Sequence, residues 1–180
     1  MLKKLLVASI IMIITIVAFT AYQLFFVYKG NVVAYKNLVN FYKEPIDLND
    51  YELIALDGTQ QKISDTNGKN RLVMFWATWC KYCLSDMPEI IKFASDNKSA
   101  NLAVLALAVP DDPIAKARNI MQTKNNQNMK VYLNSSGAIY KSLRLKGVPS
   151  YIIIDKNGFG IASLHPTFDE DLAKLLVGVR

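Results

Sequence analysis

The chain has two cysteines, and two residues separate them: Cys80-Lys81-Tyr82-Cys83. A thiolate attacks a disulfide, so a dithiol carrier needs one exposed, ionisable sulfur and a second close enough to resolve the mixed disulfide formed by the first attack. A C-x-x-C pair at a helix start meets both needs. Unpaired N–H groups and the helix dipole favour negative charge on the first sulfur, and two intervening residues let the ring close inside one turn. Cys80 is the expected nucleophile, Cys83 the resolving thiol, and Lys81 adds positive charge between them. A purely stabilising disulfide does not fit, because closing so short a loop constrains the unfolded chain very little. Zinc lacks ligands: there is no third cysteine, and the lone His165 stands beside Pro166, far from the pair, and is assigned no role. A Cu(I) site made of both thiolates and a methionine stays open, since soft sulfur ligands suit that ion.

The elements that must position the pair follow from the hydrophobic pattern. Arg71 to Trp76 is a short apolar run, the mark of a strand buried on both faces, and it leads straight into the cysteines. After Cys80, Leu84, Met87, Ile90, Ile91 and Ala94 recur at helical spacing, with Pro88 expected to kink that helix. Upstream, Tyr51 to Leu56 and Gln61 to Ile63 flank Asp57-Gly58 and predict a hairpin covering a sheet edge. Downstream, Leu102 to Val109 is a second buried strand. Pro110-Asp111-Asp112-Pro113 offers an acidic cap with proline at the first position of a helix running to about Gln122. Lys130 to Leu133 is a strand, Ser136 to Leu143 a short helix, and Ser150 to Ile154 pairs with Phe159 to Leu164 around Lys156-Asn157-Gly158. Thr167 with Glu170 predicts a capping box for a last helix lined by Leu172, Leu175, Leu176 and Val179. Strands alternating with helices predict an α/β sandwich around a mainly parallel, mixed central sheet.

From Leu5 to Val27 runs an apolar stretch without a charged side chain, long enough to cross a bilayer as a helix, and Lys3 and Lys4 precede it. Basic residues before a first span tend to stay cytoplasmic, which places the remainder outside, where disulfides persist. Residues 1–28 are therefore expected to be an uncleaved signal anchor, with a cleaved signal peptide as the competing reading, 29–50 a stalk, and 51–180 one soluble domain. The net charge of +6 comes from Lys and Arg scattered along the chain with no basic run, which argues against nucleic acid.

The series Phe75-Trp76-Ala77-Thr78-Trp79-Cys80-Lys81-Tyr82-Cys83, then Pro88 and Gly147-Val148-Pro149, resembles the thioredoxin superfamily, and more closely its membrane-anchored TlpA/ResA-type branch. The resemblance covers about Tyr51 to the C-terminus and implies a thioredoxin-like three-layer α/β/α sandwich. It also implies that Pro149 is cis and lies against the cysteine pair, that Val148 offers backbone groups to an extended substrate, and that Trp79 shapes the contact surface. Thioredoxins proper carry a buried aspartate where this chain has Met74. Asp86, one helical turn beyond Cys83, matches the acidic position of the ResA-like branch and becomes the expected base for Cys83. Lys81-Tyr82 replaces the Gly-Pro of thioredoxin and the Pro-Pro common in TlpA relatives, and so tunes the redox potential.

The branch implies a protein disulfide reductase outside the cytoplasm that needs no cofactor. Its electrons would come from a DsbD- or CcdA-like membrane protein, and its substrates would be disulfide-containing proteins such as apocytochrome c or copper-centre proteins. Two alternatives share the same cysteines: a disulfide oxidase, and a tethered metallochaperone that binds Cu(I) without cycling. A peroxidase is disfavoured, since Ala77 stands where the T-x-x-C context requires threonine.

Overall fold

The computed structural model describes residues 9–25, 39–98, 100–110, 112–124, 127–133 and 137–178. Residues 9–25 are helical (α1) and belong to a unit separate from the body that begins at Leu38. The two ends of the expected Leu5–Val27 span lie outside the described residues. Among the described residues no helix is long and apolar enough to cross a membrane.

The body is built on one eight-stranded mixed sheet of order β1-β8-β7-β4-β5-β6-β2-β3. Its centre is β4 (Asn70–Trp76), where every side chain after Asn70 is buried. On one side β4 pairs in parallel with β5 (Leu102–Ala108), which pairs in parallel with β6 (Met129–Leu133). On the other side it pairs antiparallel with β7 (Ser150–Ile154), which pairs antiparallel with β8 (Phe159–Leu164) as the expected hairpin. The hairpin of β2 (Glu52–Ala55) and β3 (Gln60–Lys62) extends the sheet beyond β6.

Strand alternation divides the core into two layers. Leu72, Met74 and Trp76 of β4 face the layer that holds α2 (Lys81–Asp96), α3 (Ile114–Gln122) and α5 (Glu170–Val177). Val73 and Phe75 face the opposite layer, with the 3₁₀ turn Ile63–Thr66 and α4 (Ala138–Ser142). The sandwich therefore has three layers, but its sheet is not mainly parallel: two pairings are parallel and five antiparallel, because β1 and the two hairpins add antiparallel strands on both sides of β4, β5 and β6.

Further expectations need correction. The stalk assigned to residues 29–50 is sheet from residue 39: β1 (Val39–Asp47) pairs antiparallel with β8 along the edge, and 29–38 lie outside the described residues. Its register slips between Phe41 and Ile46, and Pro45 sits in that interval, where a strand without a neighbour on its other side tolerates a missing N–H. Pro113 is the N-cap of α3 rather than its first residue, and no side chain caps that helix, because Asp112 is turned inward. In α5 the cap is Asp169, whose carboxylate accepts from the Leu172 N–H at 2.8 Å, in place of Thr167. An anion at a helix N-terminus serves better than a hydroxyl. The buried face of α5 is Leu172, Ala173 and Val177; Leu175 is 76% exposed, and Val179 lies outside the described residues.

Candidate redox site

β4 ends at Trp76, whose carbonyl accepts from the Val109 N–H at 3.0 Å. The chain then turns through Ala77-Thr78-Trp79, with the Cys80 N–H donating to the Ala77 carbonyl at 3.1 Å. Buried Asp112 fixes this turn from the β5–α3 loop. Its carboxylate accepts from the Thr78 backbone N–H at 2.8 Å and from the Thr78 hydroxyl at 2.6 Å. Cys80 is the N-cap of α2, with extended backbone and its Sγ accepting from the Cys83 N–H at 3.1 Å. The donor aimed at the sulfur is one of the orphan N–H groups of the helix start, which is the arrangement that favours a thiolate there.

The two sulfurs are bonded to each other. Cys80 retains 5% exposure and Cys83 none, so an incoming disulfide meets Cys80 first. Around that sulfur the neighbours in sequence are open: Trp79 is 67% and Tyr82 75% exposed, and Lys81 is exposed as well. Two large aromatic side chains thus stand on the surface beside a nearly buried sulfur.

The Val148–Pro149 peptide is cis, and Pro149 is buried. Because Phe75 pairs with Ser150, β7 begins where β4 ends, which brings Pro149 and the cysteine turn to the same edge of the sheet. The half-buried Val148 packs against both core layers. His165, the residue assigned no role, approaches the Pro149 carbonyl with Nδ1 at 2.7 Å, and the Ser150 hydroxyl donates to the Gly147 carbonyl at 2.7 Å. The Gly147–Ser150 loop is thus held by polar contacts on two sides.

Asp86 lies on α2 one turn beyond Cys83 and is half-buried. Its Oδ2 accepts from the Tyr151 hydroxyl at 2.5 Å, and its Oδ1 from the Ser85 hydroxyl at 3.4 Å. Tyr151 is fully buried and sits directly opposite Met74 in the β4–β7 ladder. Burial, and after it the bond to Asp86, push the phenol far above its ordinary range, so it stays a donor. Among the described residues no group of three His, Cys, Asp or Glu side chains is placed to share a metal ion.

Asp112, Tyr151 and the contact of His165 were not read from the sequence. The alternation of Ser150–Ile154 puts Tyr151 and Ile153 on one face, and aligning that face with Met74 was the available signal for Tyr151. Asp112 offered no such signal, since its position before a proline looks like a cap.

The Redoxin family model matches residues 43–171. The thiol-disulfide oxidoreductase ResA of Bacillus thuringiensis subsp. konkukian is 27% identical over 142 residues, spanning 79% of this chain and 75% of that protein. The thioredoxin-like protein YneN of Bacillus subtilis is 34% identical over 107 residues, 59% of this chain and 57% of that one. Among solved structures, the exposed lipoprotein thioredoxin of Streptococcus pneumoniae superposes with a TM-score of 0.63 at 25% identity, over 72% of this chain and 99% of that one. With a dithiol at a helix start on a mixed sheet and with these relatives, the chain belongs to the Redoxin family, as a ResA/TlpA-like thiol–disulfide oxidoreductase of the thioredoxin superfamily.

Proposed function

We propose that this oxidoreductase works as a reductase of protein disulfides outside the cytoplasm, tethered by its N-terminal apolar segment. The observation that carries the reading is the division of labour within the pair: Cys80 caps α2 and keeps an exposed edge, while Cys83 has none. In the reduced enzyme the Cys80 thiolate attacks a substrate disulfide and expels one substrate thiolate. Cys83 loses its proton to Asp86, attacks the Cys80 sulfur and releases the second substrate thiol, so two electrons pass from the dithiol to the substrate. Trp79, Tyr82, Val148 and Pro149 receive the extended segment around the substrate disulfide. Lys81 and Tyr82 set the potential of the couple.

The charge-free run from Leu5 to Val27, preceded by Lys3 and Lys4, supports a single span with the catalytic body on the extracytoplasmic face. A reductase in an oxidising compartment must be re-reduced from the cytosol, which calls for a DsbD- or CcdA-like membrane donor. Kinship with ResA favours substrates that need reduced cysteines for cofactor attachment, such as apocytochrome c or a copper-centre protein. Replacing Cys83 with serine tests the reading: the mixed disulfide at Cys80 can no longer be resolved and accumulates on the full chain with its protein partners. Recovery of no mixed disulfide with Cys83→Ser, and of none with the parent, would point instead to cysteines that hold a metal.

A further inference from the structure

The buried phenol of Tyr151 has no part in the exchange chemistry as described above, yet it binds the carboxylate of Asp86, one helical turn beyond Cys83. We propose that Tyr151 is a positioning residue for Asp86: its hydroxyl, donated across from β7, fixes the carboxylate on the face of α2 that carries Cys83, in the orientation that takes the Cys83 proton. This inference rests on the reading of Asp86 as the base for Cys83.

The geometry carries it in three steps. Asp86 stands three residues after Cys83, so their side chains lie on the same face of α2 as helix neighbours. Tyr151 comes from the opposing sheet, fully buried, and its hydroxyl meets Oδ2 at 2.5 Å, leaving Oδ1 with only a weak contact to Ser85. The ring cannot drift, because Phe168 packs against it with centroids 5.4 Å apart and Phe168 in turn packs on Phe93 of α2. A side chain so held makes the rotamer of its partner equally definite.

The position of Tyr151 gives the arrangement its meaning. Met74, directly across the ladder, cannot accept a proton, so β4 offers no base beneath the pair. β7 supplies a neutral donor at that level, and the acid comes from the helix. The other ionisable group acting on the phenol is Glu89, on the same helix. The sheet residues facing α2 from β4 and β5 are apolar: Leu72, Met74 and Trp76, then Val104, Ala106 and Ala108. Phe168, from the segment before α5, is apolar too.

The test uses the full chain, reduced beforehand and mixed rapidly with dithiobis-nitrobenzoate. Cys80 attack releases one thionitrobenzoate, and Cys83 attack on the resulting mixed disulfide releases the second, so two phases report the two sulfurs separately. In Tyr151→Phe, which keeps the ring against Phe168, the second phase slows roughly tenfold along its acid limb, while the first phase is unchanged. In Asp86→Asn that limb is lost and the second phase follows the ionisation of the Cys83 thiol itself, its proton passing to solvent, and the double variant behaves as Asp86→Asn alone. If Tyr151→Phe superimposes on the parent while Asp86→Asn loses the limb, the inference is overturned and the base assignment stands. If Asp86→Asn itself leaves the limb in place, the base assignment falls and takes the inference with it. Equal slowing of both phases at every pH, or a double variant worse than Asp86→Asn, would make Tyr151 a packing residue and also overturn the proposal.

Discussion

Replacing Asp112 with alanine removes the acceptor that holds the turn between β4 and Cys80. Two hydrogen bonds go, at 2.8 Å from the Thr78 N–H and 2.6 Å from its hydroxyl, both made between residues no more than 5% exposed. Bonds to a charged acceptor contribute about 1.5–3 kcal/mol each, a gross loss of about 3–6 kcal/mol. Removing a buried carboxylate also relieves its own desolvation, which offsets part of that loss, so a net destabilisation of about 2–3 kcal/mol is expected. Urea unfolding of the full chain reads it through tryptophan emission: the chain has two tryptophans, Trp76 and Trp79, and both flank Thr78. The midpoint should fall with the slope unchanged. Thr78→Val removes only the hydroxyl bond and leaves the buried carboxylate in place, so it should cost about 1.5–3 kcal/mol, with a coupling of similar size in the double-variant cycle. Release of the first thionitrobenzoate should slow in Asp112→Ala, because the turn that presents Cys80 is loosened. A midpoint within about 0.5 kcal/mol of the parent, with Cys80 attack unaltered, would refute the clamp.

Arg71, fully buried in β4, donates through Nη1 to the Ile63 carbonyl, Thr66 Oγ1 and Asn67 Oδ1, and through Nη2 to the Asp155 carbonyl. Arg71→Met strands those acceptors together, and denaturant titration should show a loss of about 3 kcal/mol or more. Burial raises the phenols of Tyr42, Tyr132, Tyr140 and Tyr151 above their ordinary value. Groups with raised folded values contribute stability that is complete below the unfolded value of about 10 and lost as pH climbs toward the folded one. Alkaline titration followed by phenolate absorbance should therefore show these four ionising late and together with unfolding, whereas early ionisation of all nine tyrosines would contradict their burial.

The parts legible in the sequence were those encoded locally. The apolar run Arg71–Trp76, the helical spacing after Cys80 and the Lys156-Asn157-Gly158 turn each contain their own instructions, and β4, α2 and the β7–β8 hairpin follow them. β1 does not. Its side chains are all at least partly exposed, Pro45 interrupts it, and it becomes a strand only because β8 supplies a partner more than a hundred residues later. Asp112 was read as a cap because acid before proline is common at helix starts; its real partner, Thr78, lies 34 positions away. The same holds for Asp86 and Tyr151, 65 positions apart. The cysteines and their helix were visible; the polar groups that hold them in place come from sheet register, which a single sequence leaves open.

Reductase action at Cys80 and Cys83 is the claim on which the rest depends, and the equilibrium reduction potential of the full chain, titrated in a dithiothreitol or glutathione buffer, tests it most directly. The account predicts one two-electron couple lying well below about −180 mV, able to give electrons to protein disulfides in an oxidising compartment. A couple near about −120 mV, where a dithiol takes electrons from its substrates, or no reversible couple at all, would contradict it.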